Sequence, residues 1–127
     1  MRKIRSAAVI AAGTATILGL SVMPAHAEGS RTSYIAGWRV GKTSNTWYDN
    51  NSDAVATTVT LKGCFTDSEF HSAKLTLYKS DGTSYGTKTN TCGTSSWTRP
   101  GKGTFYFKLT DFSGGSSFSA EKVEIRW

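Results

Sequence analysis

The stretch from Val55 to Phe65 reads Val-Ala-Thr-Thr-Val-Thr-Leu-Lys-Gly-Cys-Phe. Its odd positions Val55, Thr57, Val59, Leu61 and Phe65 are apolar or β-branched, while Ala56, Thr58, Thr60 and Lys62 are small or polar. Alternation with a period of two is the mark of a strand buried on one face. Cys64, one of only two cysteines, lies at the end of this strand. A single bridge from it to Cys92 would fasten the second half of the chain to the strand, so a fold that uses the bridge must bring the two within reach of each other. The bridge closes a loop of about 29 residues, for which the chain-entropy treatment gives roughly 3–4 kcal/mol of stabilisation.

Two free thiols suit an exported chain poorly, and a two-cysteine metal site lacks its histidines. Export is expected from the first residues. Met1-Arg2-Lys3-Ile4-Arg5 precedes a run of apolar and small residues from Ala7 to Met23, and Ala25-His26-Ala27 follows as a small-x-small cleavage pattern. Residues 1–27 read as a secretory signal peptide and residues 28–127 as a single secreted β domain. Gly13, Thr14, Thr16, Gly19 and Ser21 dilute the apolar run, so a retained membrane anchor is not expected. Loss of Arg2, Lys3 and Arg5 with the signal takes the 15 basic residues to 12 against 9 acidic ones, and the formal charge from +6 to +3. The remaining Lys and Arg are scattered without a run, which argues against nucleic-acid binding and against a polybasic membrane footprint.

The six phenylalanines, five tyrosines and four tryptophans all follow residue 27. Phe65, Phe105, Phe107, Phe112 and Phe118 are expected to supply much of the core area, with Trp38 and Trp127 beside them. Tyr34 to Val40 reads as a first strand with Tyr34, Trp38 and Val40 on one side, and Thr46-Trp47-Tyr48 as a short second one. Lys74 to Lys79 places Leu75 and Leu77 inward. Asp81-Gly82 suits a hairpin turn that returns the chain through Tyr85 to Cys92. Thr66 to Ser72 is read as a loop or one helical turn, Gly93 to Gly103 as a surface loop held at one end by the disulfide, and Ser113 to Ser117 as a flexible connection. Thr104 to Thr110 alternates with Phe105, Phe107 and Leu109 on one face and Tyr106 and Lys108 on the other. Lys122 to Trp127 puts Val123, Ile125 and Trp127 inward. The expected fold is all-β: a small antiparallel β-sandwich or flattened barrel of six to seven strands with one disulfide.

No arrangement of residues calls for catalysis. His26 leaves with the signal, so His71, in Thr66-Asp67-Ser68-Glu69-Phe70-His71-Ser72, is the remaining histidine. A triad requires a base beside a nucleophile and a third group orienting the base, and neighbourhood in sequence does not supply that geometry. There is no Gly-x-Ser-x-Gly elbow, no His-Glu-x-x-His and no evident carboxylate pair for glycoside cleavage. No enzyme activity and no cofactor are expected. Asp49, Asn51 and Asp53 alternate as the first ligands of a calcium loop do, but Ala54 stands where the sharp turn needs glycine and Thr60 where the bidentate glutamate belongs. A looser calcium site and a plain turn with Asx side chains bonded to their own backbone both remain open there, and no metal is assigned.

Flat aromatics outside the core are what binding surfaces use. Trp47, Tyr48 and Trp97 are read as surface residues, with Arg99 two positions after Trp97; tryptophan and arginine are the types richest in interface hot spots. The build resembles that of small exported actinobacterial proteins: Ala25-His26-Ala27 before an acidic residue, one Cys64/Cys92 pair and a sandwich ending on Trp127. That group includes proteinaceous enzyme inhibitors and small adaptor subunits of secreted toxin complexes, so the resemblance implies a binding role. The expected function is that of a secreted non-catalytic protein whose partner is another extracellular protein. The alternative is a carbohydrate- or cell-wall-binding module, with Trp47 and Tyr48 stacking on sugar rings.

Overall fold

The computed structural model describes residues 29–50, 55–98 and 100–127. The expected signal segment, Asn51, Asp53 and Arg99 lie outside them. Among the described residues there are eight strands and no helix: β1 (Ser30–Trp38), β2 (Trp47–Asp49), β3 (Thr57–Thr66), β4 (Ala73–Lys79), β5 (Ser84–Asn90), β6 (Thr94–Trp97), β7 (Gly103–Phe112) and β8 (Phe118–Arg126). They form two four-stranded antiparallel sheets, ordered β1-β8-β3-β6 and β2-β7-β4-β5. Inner faces of the two sheets supply the core, with Val59 and Leu61 of β3 opposing Leu75, Leu77, Phe105, Phe107 and Leu109 of β4 and β7. Each such buried side chain is favoured by roughly 1.5–3 kcal/mol over its exposed state.

The organising strand sits where its alternation requires, inside the first sheet between β8 and β6. Its pattern then reverses. Val59 and Leu61 are buried, Lys62 and Gly63 are both exposed, and Phe65 stands 54% exposed on the outer face. Its partner β8 reverses at the same level: Val123 and Ile125 are buried, Glu121 and Lys122 are both exposed, and Ala120 and Phe118 are buried again. Gly63 makes the reversal possible. Its φ is +63°, and a Cβ there would lie 2.7 Å from Cγ and 2.8 Å from Cβ of Glu121. The left-handed region disfavours any residue with a Cβ. The expectation that Phe65 continues the inward phase fails for this reason, and Phe118 fills the corresponding core position.

β1 departs from its sequence reading as well. Its register on β8 shifts between Ser33 and Ile35 and again between Ile35 and Trp38, so Ile35 and Trp38 both turn inward although they stand an odd number of positions, three, apart. Ile35 is buried, whereas Tyr34 is 69% exposed and Val40, in the loop after the strand, is 58% exposed. β-bulges of this kind re-aim side chains and break the regular edge that invites pairing with another chain.

The largest correction concerns the segment after Cys92. Thr94–Trp97 forms β6, an edge strand antiparallel to β3, with Thr57 opposite Trp97 and Val59 opposite Ser95. Asn90 clips the crossover that delivers it. The amide nitrogen of Asn90 donates to Gly93 O and Ser95 Oγ, both at 3.0 Å, and Asn90 Oδ1 accepts from the N–H groups of Cys92 and Gly93, both at 2.8 Å. The Cys64–Cys92 disulfide ties the same crossover to β3, with the Cα atoms 5.8 Å apart. Of the two expectations for Thr66 to Ser72, the loop holds and the helical turn does not. The segment 113–117, expected as a flexible connection, is pinned by Asp67, which accepts from the N–H groups of Ser116 and Ser117 and from Ser116 Oγ. The β4–β5 hairpin turns at Ser80-Asp81-Gly82, with Gly82 at φ +96° and Asp81 Oδ1 accepting from both Thr83 N–H and Thr83 Oγ.

Candidate functional site

Two of the residues expected at a binding surface are core residues. Trp97 is 3% exposed, packs in the sandwich and donates its indole N–H to Gly86 O at 2.9 Å. Trp47 is also 3% exposed, and stacks on Trp127 at 5.8 Å and on Phe105 at 6.4 Å between ring centroids. Both lie in strands whose inward parity claims them, at Trp97 opposite Thr57 and at Trp47 opposite Phe105. The tryptophans expected inside are less buried: Trp38 and Trp127 only pack against the core from its margin. With Trp97 in the core, the segment from Gly93 is no aromatic docking loop, and Arg99 lies outside the described residues.

Tyr48 keeps its expected exposure. The alternation that turns Trp47 and Asp49 inward turns Tyr48 outward, 52% exposed, opposite Thr104 of β7. Two positions along β7 stands Tyr106, which pairs in register with Tyr78 of β4. The two rings stack at 5.5 Å and 17°, and Lys108 Nζ lies 5.8 Å from the centroid of Tyr78. Beneath this end of the face, Thr76 is buried and shares hydrogen bonds with Thr87 Oγ1 at 2.6 Å and Thr110 Oγ1 at 3.5 Å. The outer face of the second sheet therefore carries a row Tyr48, Tyr106, Tyr78 on three hydrogen-bonded strands, Tyr48 diagonal to Tyr106 and Tyr106 directly opposite Tyr78, with a lysine beside it. Diagonal neighbours across a sheet are about 7–8 Å apart, within reach of one another's aromatic rings.

Sequence reading did not single out Tyr78 and Tyr106 as site residues. The signal was present in the alternation itself, since Tyr106 and Lys108 fall on the outward face of the strand whose inward face is Phe105, Phe107 and Leu109. What it lacked was the pairing that sets β4 and β2 on either side of β7.

The sugar-stacking alternative loses Trp47 to the interior, and Asp49 on the other side of Tyr48 is buried as well. His71 is exposed, and its backbone N–H and that of Ser72 both donate to Ser113 Oγ. The neighbouring Asp67 is occupied by the Ser116–Ser117 turn. Its carboxyl is held below the ordinary carboxylate range by the Ser116 hydroxyl first and then by the Ser117 N–H. The described residues contain no group of three or more His, Cys, Asp or Glu able to hold a metal ion. No family model matches the chain, and no curated protein matches it.

Proposed function

We propose that this chain is a non-catalytic binding protein of the extracellular space, and that the outer face of the second sheet contacts another protein through Tyr48, Tyr106, Tyr78 and Lys108. The observation that carries the reading is the tyrosine row, three amphipathic rings held on a rigid sheet, two of them stacked on each other. Tyrosine is enriched at interface hot spots because it offers large contact area and a polar tip for little lost rotamer freedom. The leader-like residues 1–27 and the disulfide support an exported protein, and among the described residues no helix is long and apolar enough to cross a membrane. The resemblance in build to exported inhibitors and adaptor subunits favours a protein partner.

The test is capture from culture medium on the purified protein. A stoichiometric protein retained by the native chain and lost by Tyr48→Ala and Tyr106→Ala supports the reading; equal capture by both variants, or none by the native chain, overturns it. A polysaccharide is the second reading, favoured by the near-parallel rings of Tyr78 and Tyr106 and by Thr104 opposite Tyr48. Retention on chitin, cellulose or peptidoglycan that Tyr48→Ala abolishes would replace the protein partner with a sugar chain.

A further inference from the structure

The sandwich is closed on one flank and open on the other. At the β5/β6 flank the Trp97 indole, the Asn90 amide and the disulfide stitch the sheets together. At the opposite flank β1 is the edge of the first sheet. The facing edge of the second is formed by residues 41–44, which bond to β7 through Gly41 N–H to Leu109 O, Leu109 N–H to Lys42 O and Ser44 N–H to Phe107 O. Between these two edges lies a cleft of about 340 Å³, at the lower end of the size range of small-ligand sites.

Its walls are divided by chemistry. The floor is apolar: Ile35, Phe107, Val123 and Ile125, with Trp38 packed against Phe107 at 5.8 Å between ring centroids. The floor residues are only 1–3% exposed, so a slender group alone reaches them. Arg31 and Ser33 lie on the cleft side of β1, opposite Ile125 and Val123 of β8, and Lys42, Thr43, Ser44 and Asn45 form the other lip. The described residues lining the cleft include two cations and no acid. Among the described residues the one ion pair is Arg126 with Glu124, on the outer face, and none of these residues gives Arg31 or Lys42 an acidic partner. Ser44 Oγ is already committed, accepting from Phe107 N–H and donating to Asn45 O.

We propose that this cleft binds a small amphipathic carboxylate, its apolar tail directed at Ile35, Phe107, Val123 and Ile125 and its carboxylate held at the mouth by Arg31 and Lys42. Two unpaired cations at the lip of an apolar slot select a compact anion on a hydrophobic tail, and the planar guanidinium fork matches a carboxylate. The site lies between the sheets, on a different surface from the tyrosine row, and stands or falls independently of it.

Octanoate titrated into the isotopically labelled protein is the direct test, with octanol, octylammonium and acetate as parallel probes. The expected result is amide shifts concentrated at Arg31–Ile35 and Lys42–Asn45, saturating with octanoate. Octanol, octylammonium and acetate should each bind at least tenfold more weakly. Arg31→Gln with Lys42→Gln, both partly or wholly exposed positions, should weaken octanoate at least tenfold while leaving the melting temperature and octanol binding unchanged. Shifts spread over both outer faces, no saturable shift with octanoate, equal binding of octanoate and octanol, or unchanged octanoate affinity in the double variant would each overturn the proposal.

Discussion

The indole N–H of Trp97 donates to the carbonyl oxygen of Gly86 at 2.9 Å, joining the edge strand of one sheet to the edge strand of the other. One residue thus fills core volume on β6 and closes the flank against β5. The side chain read in the sequence as an interface anchor is part of the protein's own interior.

Truncation at this position is expected to be severe. Trp97→Ala should lower stability by about 3–5 kcal/mol, as aromatic deletions in cores do. Trp97→Phe keeps most of the apolar area but leaves Gly86 O without the indole, and should cost roughly 1–2 kcal/mol. Urea unfolding followed by far-ultraviolet circular dichroism measures both. If the tyrosine face is the binding surface, folded Trp97→Phe captures the same partner as the native chain.

Removal of the disulfide tests the crossover that Asn90 also holds. Cys64→Ser with Cys92→Ser should reduce stability by about 3–4 kcal/mol through the freed unfolded chain. Asn90→Ala, which abandons four hydrogen bonds at one buried amide, should cost at least about 2 kcal/mol. Both effects are read as shifts in the unfolding midpoint. A negligible effect of Asn90→Ala would mean that the disulfide alone holds the crossover.

The reversal at Gly63 admits no side chain. Gly63→Ala combines a left-handed backbone, about 1–2 kcal/mol for a residue with a Cβ, with close approach to Glu121. Destabilisation beyond the backbone term alone is expected. Gly82→Ala is the control, since its φ is +96° but nothing lies within 4 Å of its would-be Cβ. A thermal melt that ranks Gly63→Ala as the milder change would show that the β3–β8 bend is not set at this residue.

Asp67 predicts an acid dependence. Its carboxyl is held low by the Ser116 hydroxyl and the Ser117 N–H, so its contribution to stability is present above the unfolded value near pH 4 and is lost as pH falls through the lower folded value. Asp81, held low by the Thr83 hydroxyl and N–H, and Glu124, held low by Arg126, act in the same direction. The melting temperature of the native chain should therefore fall as pH drops from about 5 toward 2. Asp67→Asn should start lower at neutral pH and converge on the native curve in acid. Parallel curves over that range would show that the ionised clamp contributes nothing.

Period-two alternation made the sheet content legible, because burial of one face writes itself directly into residue order. β4 and β7 follow their patterns through Leu75, Leu77, Phe105, Phe107 and Leu109, all buried, and the register between the two strands shifts between Lys74 and Leu75. β6 was not legible. Thr-Ser-Ser-Trp has little apolar signal, and as an edge strand beside β3 it needs only Ser95 and Trp97 to face inward.

An all-β chain, the inward faces of its regular strands, the β4–β5 hairpin and the pairing of its two cysteines all follow from residue order, since each is a local pattern or a matter of having no other partner. Which aromatics are accessible follows only from how the strands pair and pack. Whether Trp47, Trp97 or Phe65 meets solvent depends on register and on the left-handed backbone at Gly63, and a one-residue change of phase exchanges the two faces of a strand. The same holds for both proposed sites. Tyr48, Tyr106 and Tyr78 become a row only when β2, β7 and β4 are neighbours, and Arg31 and Lys42 line one cleft only because the edge of the first sheet at β1 faces residues 41–44.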